Sequence, residues 1–284
     1  MSTTLIRLDI ILPEESLDLA TGLLALKVPF GWEEESLPTG DICLRVHCDN
    51  VAFMETLHAD IRASLPDAQF ERSETEQQDW LAAWRDFFTP VIVGQHFMVL
   101  PPWLKDSTDL QGRHAIIIEP KSAFGTGHHP TTALCLGVVS TLASEGRIKA
   151  GQTFLDLGTG SGILAIGCAK LGLTGFGTDI DPLSIENSNE NRVINNVADA
   201  FTVDLGSTEI VRGNKYDVVL ANILAQPLKD LAADITSLVA QGGCLILSGL
   251  LEVQADGVEA AYHAQGLGPA RRIVDGDWAA LVWE

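Results

Sequence analysis

TFLDLGTGSGILAIGCAKLG (Thr153–Gly172), followed one residue later by TGFGTDIDP (Thr174–Pro182), decides how this chain is read. TFLDL has the apolar density of a buried strand. GTGSG is a tight turn whose missing side chains let a ligand approach the backbone. ILAIGCAKLG then continues as a helix, and its N-terminal N–H groups face that ligand. A second strand, GFGTDI, ends in Asp179, 21 residues after Gly158, where a carboxylate can accept hydrogen bonds from both hydroxyls of a ribose. Strand, glycine loop, helix and acid together make a nucleoside-binding unit of an α/β fold.

Several cofactors use such a unit, and the spacing separates them. A dinucleotide loop wants G-x-G-x-x-G, but counting from Gly158 puts Ile163 where the third glycine should stand. No G-x-x-x-x-G-K-[ST] occurs, so phosphate-loop chemistry has no anchor. The loop reads D-x-G-x-G-x-G, with Asp156 just before the turn. A carboxylate there would repel a pyrophosphate and favour a cationic ligand.

Downstream, KYDVVLANIL (Lys215–Leu224) reads as a buried strand ending in Asn222, and GGCLILSGLL (Gly242–Leu251) as the next. Ligands of open parallel sheets sit beyond the carboxyl ends of the strands, so Asn222 is expected beside Gly158 and Asp179. Upstream, Val91–Trp103 and AIIIEP (Ala115–Pro120) read as strands, and LCLGVVSTLAS (Leu134–Ser144) as a helix. QQDWLAAWRDFF (Gln77–Phe88) reads as an amphipathic connecting helix, with Trp80 and Trp84 one turn apart. Before it the pattern is β-α-β-β-α-β, the order of a small α+β ferredoxin-like module. The expected division is residues 1–76 for that module, 77–90 for a helical linker, and 91–284 for the larger α/β domain.

Charge narrows the partners. The 284 residues carry 18 Lys and Arg against 38 Asp and Glu, a net of -20, which disfavours nucleic acid and anionic lipid. Residues 1–76 hold 15 acidic and 5 basic side chains, half of that imbalance in about a quarter of the chain. A solvated face and a docking surface for a basic partner are both open readings. Five scattered cysteines without a Cys-x-x-Cys pair argue against a disulfide framework or a zinc ribbon, so no metal and a reducing cytoplasm are expected. No apolar run reaches the ~18 residues that span a bilayer.

IIIEPKSAFGTGHHPTTALCL, DLGTGSGILAIGCAKLG, DIDP, DVVLANIL and GGCLILSGLLEVQ resemble the class I S-adenosylmethionine-dependent methyltransferases, and more closely the ribosomal protein L11 methyltransferases. The likeness is strong over about residues 115–260, and EP-x(3)-FGTG-x-HPTT is its most specific part. It implies a seven-stranded Rossmann-like methyltransferase domain behind a ferredoxin-like substrate-recognition domain. It also implies S-adenosyl-L-methionine as methyl donor and amines of ribosomal protein L11, lysine side chains and the N-terminal amine, as repeated acceptors. Family cofactor positions fall on Thr132, Gly158, Asp179 and Asn222, with Gly160 as the loop's second glycine. Asn222 is also the catalytic candidate, since its side-chain oxygen can aim an amine lone pair. GHHP stands where GTHP is usual; His129 is the shared histidine and His128 the departure, and neither is given a catalytic role. Keeping a lysine of pKa near 10.4 neutral at pH 7 costs about 4.6 kcal/mol, part of which desolvation and a nearby cation can offset. A monomer is expected. Alternatives are a methyltransferase of this fold acting on another protein lysine or a nucleic-acid amine, a non-catalytic cofactor-binding scaffold, and an NAD-dependent oxidoreductase.

Overall fold

Period-two alternation governs the first part of the chain. Strand β1 (Thr4–Pro13) turns Ile6, Leu8, Ile10 and Leu12 to one face, and β3 (Asp41–Cys48) adds Ile42, Leu44 and Val46. Helices α1 (Leu17–Lys27) and α2 (Val51–Ser64) cover that face through Leu24, Met54, Leu57 and Ile61. Asn50 caps α2, its side chain accepting from the Phe53 N–H at 3.0 Å. With β2 (Glu33–Ser36) and β4 (Gln69–Glu76), the strands form one antiparallel sheet in the order β2-β3-β1-β4. The other face is ionic. Asp9 is buried between Arg7 and Arg45, and Arg45 also reaches Glu33 and Glu35 at 3.3 and 3.1 Å. Burial pushes the Asp9 carboxyl up, but the two guanidinium groups outweigh it and hold it below the usual range.

This computed structural model describes residues 4–28, 32–48, 50–66, 68–76, 89–119 and 129–284. The chain divides into two compact units, Met1–Phe88 and Thr89–Glu284. The expected connecting helix at 77–88 lies outside the described residues, as do the FGTG stretch and His128.

The second unit begins with a small sheet of its own. Strands β5 (Val91–Val93), β6 (Phe97–Leu100) and β7 (His114–Ile117) are joined in that order. The strand expected over Val91–Trp103 is broken at a turn around Gly94, whose φ of +59° suits glycine, and it stops at Pro101-Pro102. Then come α3 (Pro130–Ser144), β8 (Thr153–Leu157), α4 (Ile163–Lys170), β9 (Thr174–Asp179), α5 (Pro182–Ile194), β10 (Phe201–Leu205) and β11 (Tyr216–Asn222). They are followed by α6 (Ala225–Asp230), α7 (Ala232–Leu238), β12 (Val239–Leu251), α8 (Ala255–His263), β13 (Arg271–Asp275) and β14 (Trp278–Trp283).

These later strands build a large sheet in the order β10-β9-β8-β11-β12-β14-β13. From β10 to β12 the pairing is parallel, and β14 runs antiparallel to both its neighbours. Central strands are covered on both faces, which is why they read as unbroken apolar runs. Phe154, Val218, Leu220 and Ile246 pack under α3 and α4, whereas Leu155, Val219, Leu245 and Leu247 pack under α6, α7 and α8. Asn195, fully buried beyond α5, ties the small sheet in place. Its Oδ1 accepts from the Ile117 N–H at 2.8 Å and its Nδ2 donates to the Ile117 carbonyl at 2.6 Å.

Candidate cofactor and acceptor cavity

The carboxyl ends of the parallel strands open into a cavity of about 630 Å³. The glycine loop forms its floor. Gly158, Gly160 and Gly162 have φ of +72°, +54° and +81°, the left-handed region that side chains resist. At Gly158 a Cβ would also lie 2.3 Å from Ile223 Cγ2. The loop is held from two sides. The Gly158 and Thr159 N–H groups donate to the Thr178 carbonyl at 2.8 and 2.9 Å, and the Gly160 N–H donates to Asp179 Oδ2 at 2.8 Å.

Asp156 has a different job from the one expected. It lies wholly buried beneath the loop, outside the cavity lining, and its Oδ2 accepts from Thr159 Oγ1 at 2.7 Å and from the Ala165 N–H at 3.1 Å. Burial is the chief reason its carboxyl is pushed up to about 6, against the opposing effect of those two bonds. Its side chain points into the core, where it supports the loop from below.

Asp179 does border the cavity. Besides Gly160 it accepts from the Asp181 N–H at 3.0 Å through Oδ1, and each oxygen keeps a further lone pair for a ligand. Across the cavity, α3 starts at Pro130 with His129 as its cap; Nδ1 of His129 accepts from the Thr131 N–H at 3.3 Å and lies 2.8 Å from Thr131 Oγ1. The first turn of α3 carries Thr132, fully buried, whose Oγ1 accepts from Asn222 Nδ2 at 3.4 Å. The other side-chain atom of that amide, Asn222 Oδ1, is buried and has no partner among the described residues. A buried acceptor left open at a cavity wall is a place for a ligand's donor or cationic atom.

Thr132, Gly158, Gly160, Asp179 and Asn222, all nominated from sequence, therefore line one cavity. Trp278, His129 and Leu224 line it too. Trp278 had no sequence signal, because it opens the antiparallel strand β14 and so reaches the cavity from the strand's beginning. Among the described residues no group of three His, Cys, Asp or Glu side chains is placed to hold a metal ion, and no helix is long and apolar enough to cross a membrane.

Comparison with known proteins agrees with this architecture. The family model for ribosomal protein L11 methyltransferase (PrmA) matches residues 33–284. The chain is 35% identical over 294 aligned residues to a ribosomal protein L11 methyltransferase of Myxococcus xanthus, covering 99% of each chain. It is 39% identical over 208 residues to that of Gloeobacter violaceus, where the match spans 73% of this chain and 63% of that one. A crystal structure of ribosomal protein L11 methylase from Lactobacillus delbrueckii subsp. bulgaricus superposes with a TM-score of 0.61 at 29% identity, covering 69% of this chain and 97% of that one. On the family match, the near-complete alignment and the glycine loop of β8, this chain belongs to the ribosomal protein L11 methyltransferase family.

Proposed function

We propose that the protein transfers methyl groups from S-adenosyl-L-methionine to amines of ribosomal protein L11, at lysine side chains and the N-terminal amine. The open Oδ1 of Asn222, buried at the wall of the cavity that Gly158 and Asp179 also line, carries the reading. When bound, the cofactor supplies an electrophilic methyl on a sulfonium. The residues fit it: the glycine loop gives close backbone approach, Asp179 has lone pairs for ribose hydroxyls, and Thr132 and Asn222 line the same cavity. Asn222 acts by orientation. Its oxygen accepts an N–H from the incoming neutral amine, fixing the direction of the lone pair. Asp179 and the glycine loop would hold the donor, Asn222 would hold the amine, and the bound donor would supply the methyl group and take the leaving electron pair on its sulfur.

In this reading, residues 1–76 are a ferredoxin-like substrate-recognition domain, 77–90 a helical linker and 91–284 the methyltransferase domain. The enzyme works in the cytoplasm as a monomer with no nucleic-acid partner. A basic protein substrate is drawn by the acidic first domain. Of Glu33, Glu34 and Glu35, the first and third are paired with Arg45, so steering rests on the net field more than on those three side chains. Incubation with labelled S-adenosylmethionine and total ribosomal proteins, with Asp179→Ala as control, tests the reading. Label in L11 that the control loses is expected; label in RNA, or in no protein, overturns it.

A further inference from the structure

We infer that Trp278 forms the wall of an acceptor subsite, its indole face holding the alkylammonium of partly methylated lysine beside Asn222 and so sustaining the second and third transfers. The inference rests on the function proposed above. Strand order gives the layout. Asp179 ends β9, two strands to one side of Asn222 on β11, and Trp278 begins β14, two strands to the other side. With neighbouring strands about 4.8 Å apart, each lies about 10 Å from Asn222 along the sheet edge. A donor whose ribose is held by Asp179 leaves the half towards Trp278 for the acceptor.

That half has no carboxylate among its described residues, because Asp179 and Asp181, the acidic residues that border the cavity, both belong to the other half. The groups there that suit a cation are the open Asn222 Oδ1 and the aromatic ring of Trp278, which lines the cavity. The indole is well fixed. The His129 ring stands 4.7 Å away at 69°, His129 is oriented by Thr131, and the Trp278 backbone is paired with Leu251 on one side and Asp275 on the other. Each transfer replaces an N–H by a methyl group. A site built on hydrogen bonds alone would therefore lose its hold as methylation proceeds. A π face does the opposite, because the larger and less hydrated cation is the one it binds best.

The test uses the full-length enzyme and two acceptors: unmodified L11, and L11 dimethylated at its lysines by reductive alkylation with formaldehyde. Trp278→Leu keeps apolar bulk without the π face, and Trp278→Phe keeps a π face. Expected for Trp278→Leu is a roughly tenfold rise in KM for dimethylated L11, a rise below about threefold for unmodified L11, and unchanged cofactor affinity by calorimetry. Trp278→Phe should stay within about threefold of the parent on both acceptors. A KM rise in Trp278→Leu that is equal for the two acceptors, or absent, overturns the inference while leaving the methyltransferase reading intact. If the parent enzyme fails to methylate unmodified L11, the functional reading falls and this inference with it.

Discussion

Replacing Asp156 by Asn should change how stability depends on pH. The carboxyl lies beneath the glycine loop, fully buried, with Oδ1 unpartnered among the described residues and Oδ2 accepting from Thr159 and Ala165. Burial carries its pKa from 3.8 to about 6. The folded state thus prefers the protonated acid. Below pH 3.8 the group carries no penalty; as pH rises through 6 the fold must hold a desolvated charge and loses about 3 kcal/mol. About 2 kcal/mol of that falls between pH 4.5 and 7.5. Asparagine keeps an oxygen for the Thr159 hydroxyl and the Ala165 N–H but never ionises. The stability difference, Asp156→Asn minus parent, should therefore grow by about 2 kcal/mol in favour of the variant across that interval. Hydrogen exchange of the Thr153–Lys170 amides, corrected for the intrinsic rate at each pH, reports the opening free energy of this region alone. A difference that stays flat with pH would refute the reasoning, since titrating groups not coupled to Asp156 cancel in the subtraction.

Three further outcomes are expected. Asn222→Ala, which deletes the open Oδ1, should lower the single-turnover methylation rate by about a hundredfold, a larger effect than any on cofactor affinity measured by calorimetry. Gly158→Ala puts a Cβ 2.3 Å from Ile223 Cγ2 at a φ of +72°; cofactor binding should fall by at least about tenfold and the melting temperature should drop by several degrees. Asn195→Leu leaves the Ile117 N–H and carbonyl buried without their side-chain partner and should destabilise the second unit by about 2–4 kcal/mol, read as lost protection of the Ile117 amide in hydrogen exchange.

The parts of the fold legible in the sequence were those that repeat with a period or turn on glycine. Leu8 and Ile10 alternate with Asp9 because one face of β1 is buried under helices, and TFLDL and DVVLAN are continuous because both faces of the large sheet are covered. Asn222 and Asp179 were found because a parallel strand delivers its last residue to the ligand edge. The same rule missed Trp278, since the chain reverses between β13 and β14 and the first residue, not the last, arrives there. It also misplaced Asp156, because a pattern gives the residue type at a position but not whether its side chain points up from the turn or down into the core. Asn195 carried no signal at all; an asparagine that clasps a distant backbone looks like any helix-terminal amide until the partner strand is beside it.

The place of β14 within the sheet has a consequence for how the protein is made. It is the sixth strand of the order, inserted between β12 and β13, so the sheet is not completed in the sequence in which the strands are synthesised. A nascent chain that has emerged as far as Leu251 has its glycine loop, Asp179 and Asn222, yet β12 presents a raw edge of unpaired backbone groups. Only when residues 271–283 are free does that edge close and Trp278 reach the cavity. By this arrangement the large sheet closes, and the lining of the cavity is completed, only after β13 and β14 have been synthesised.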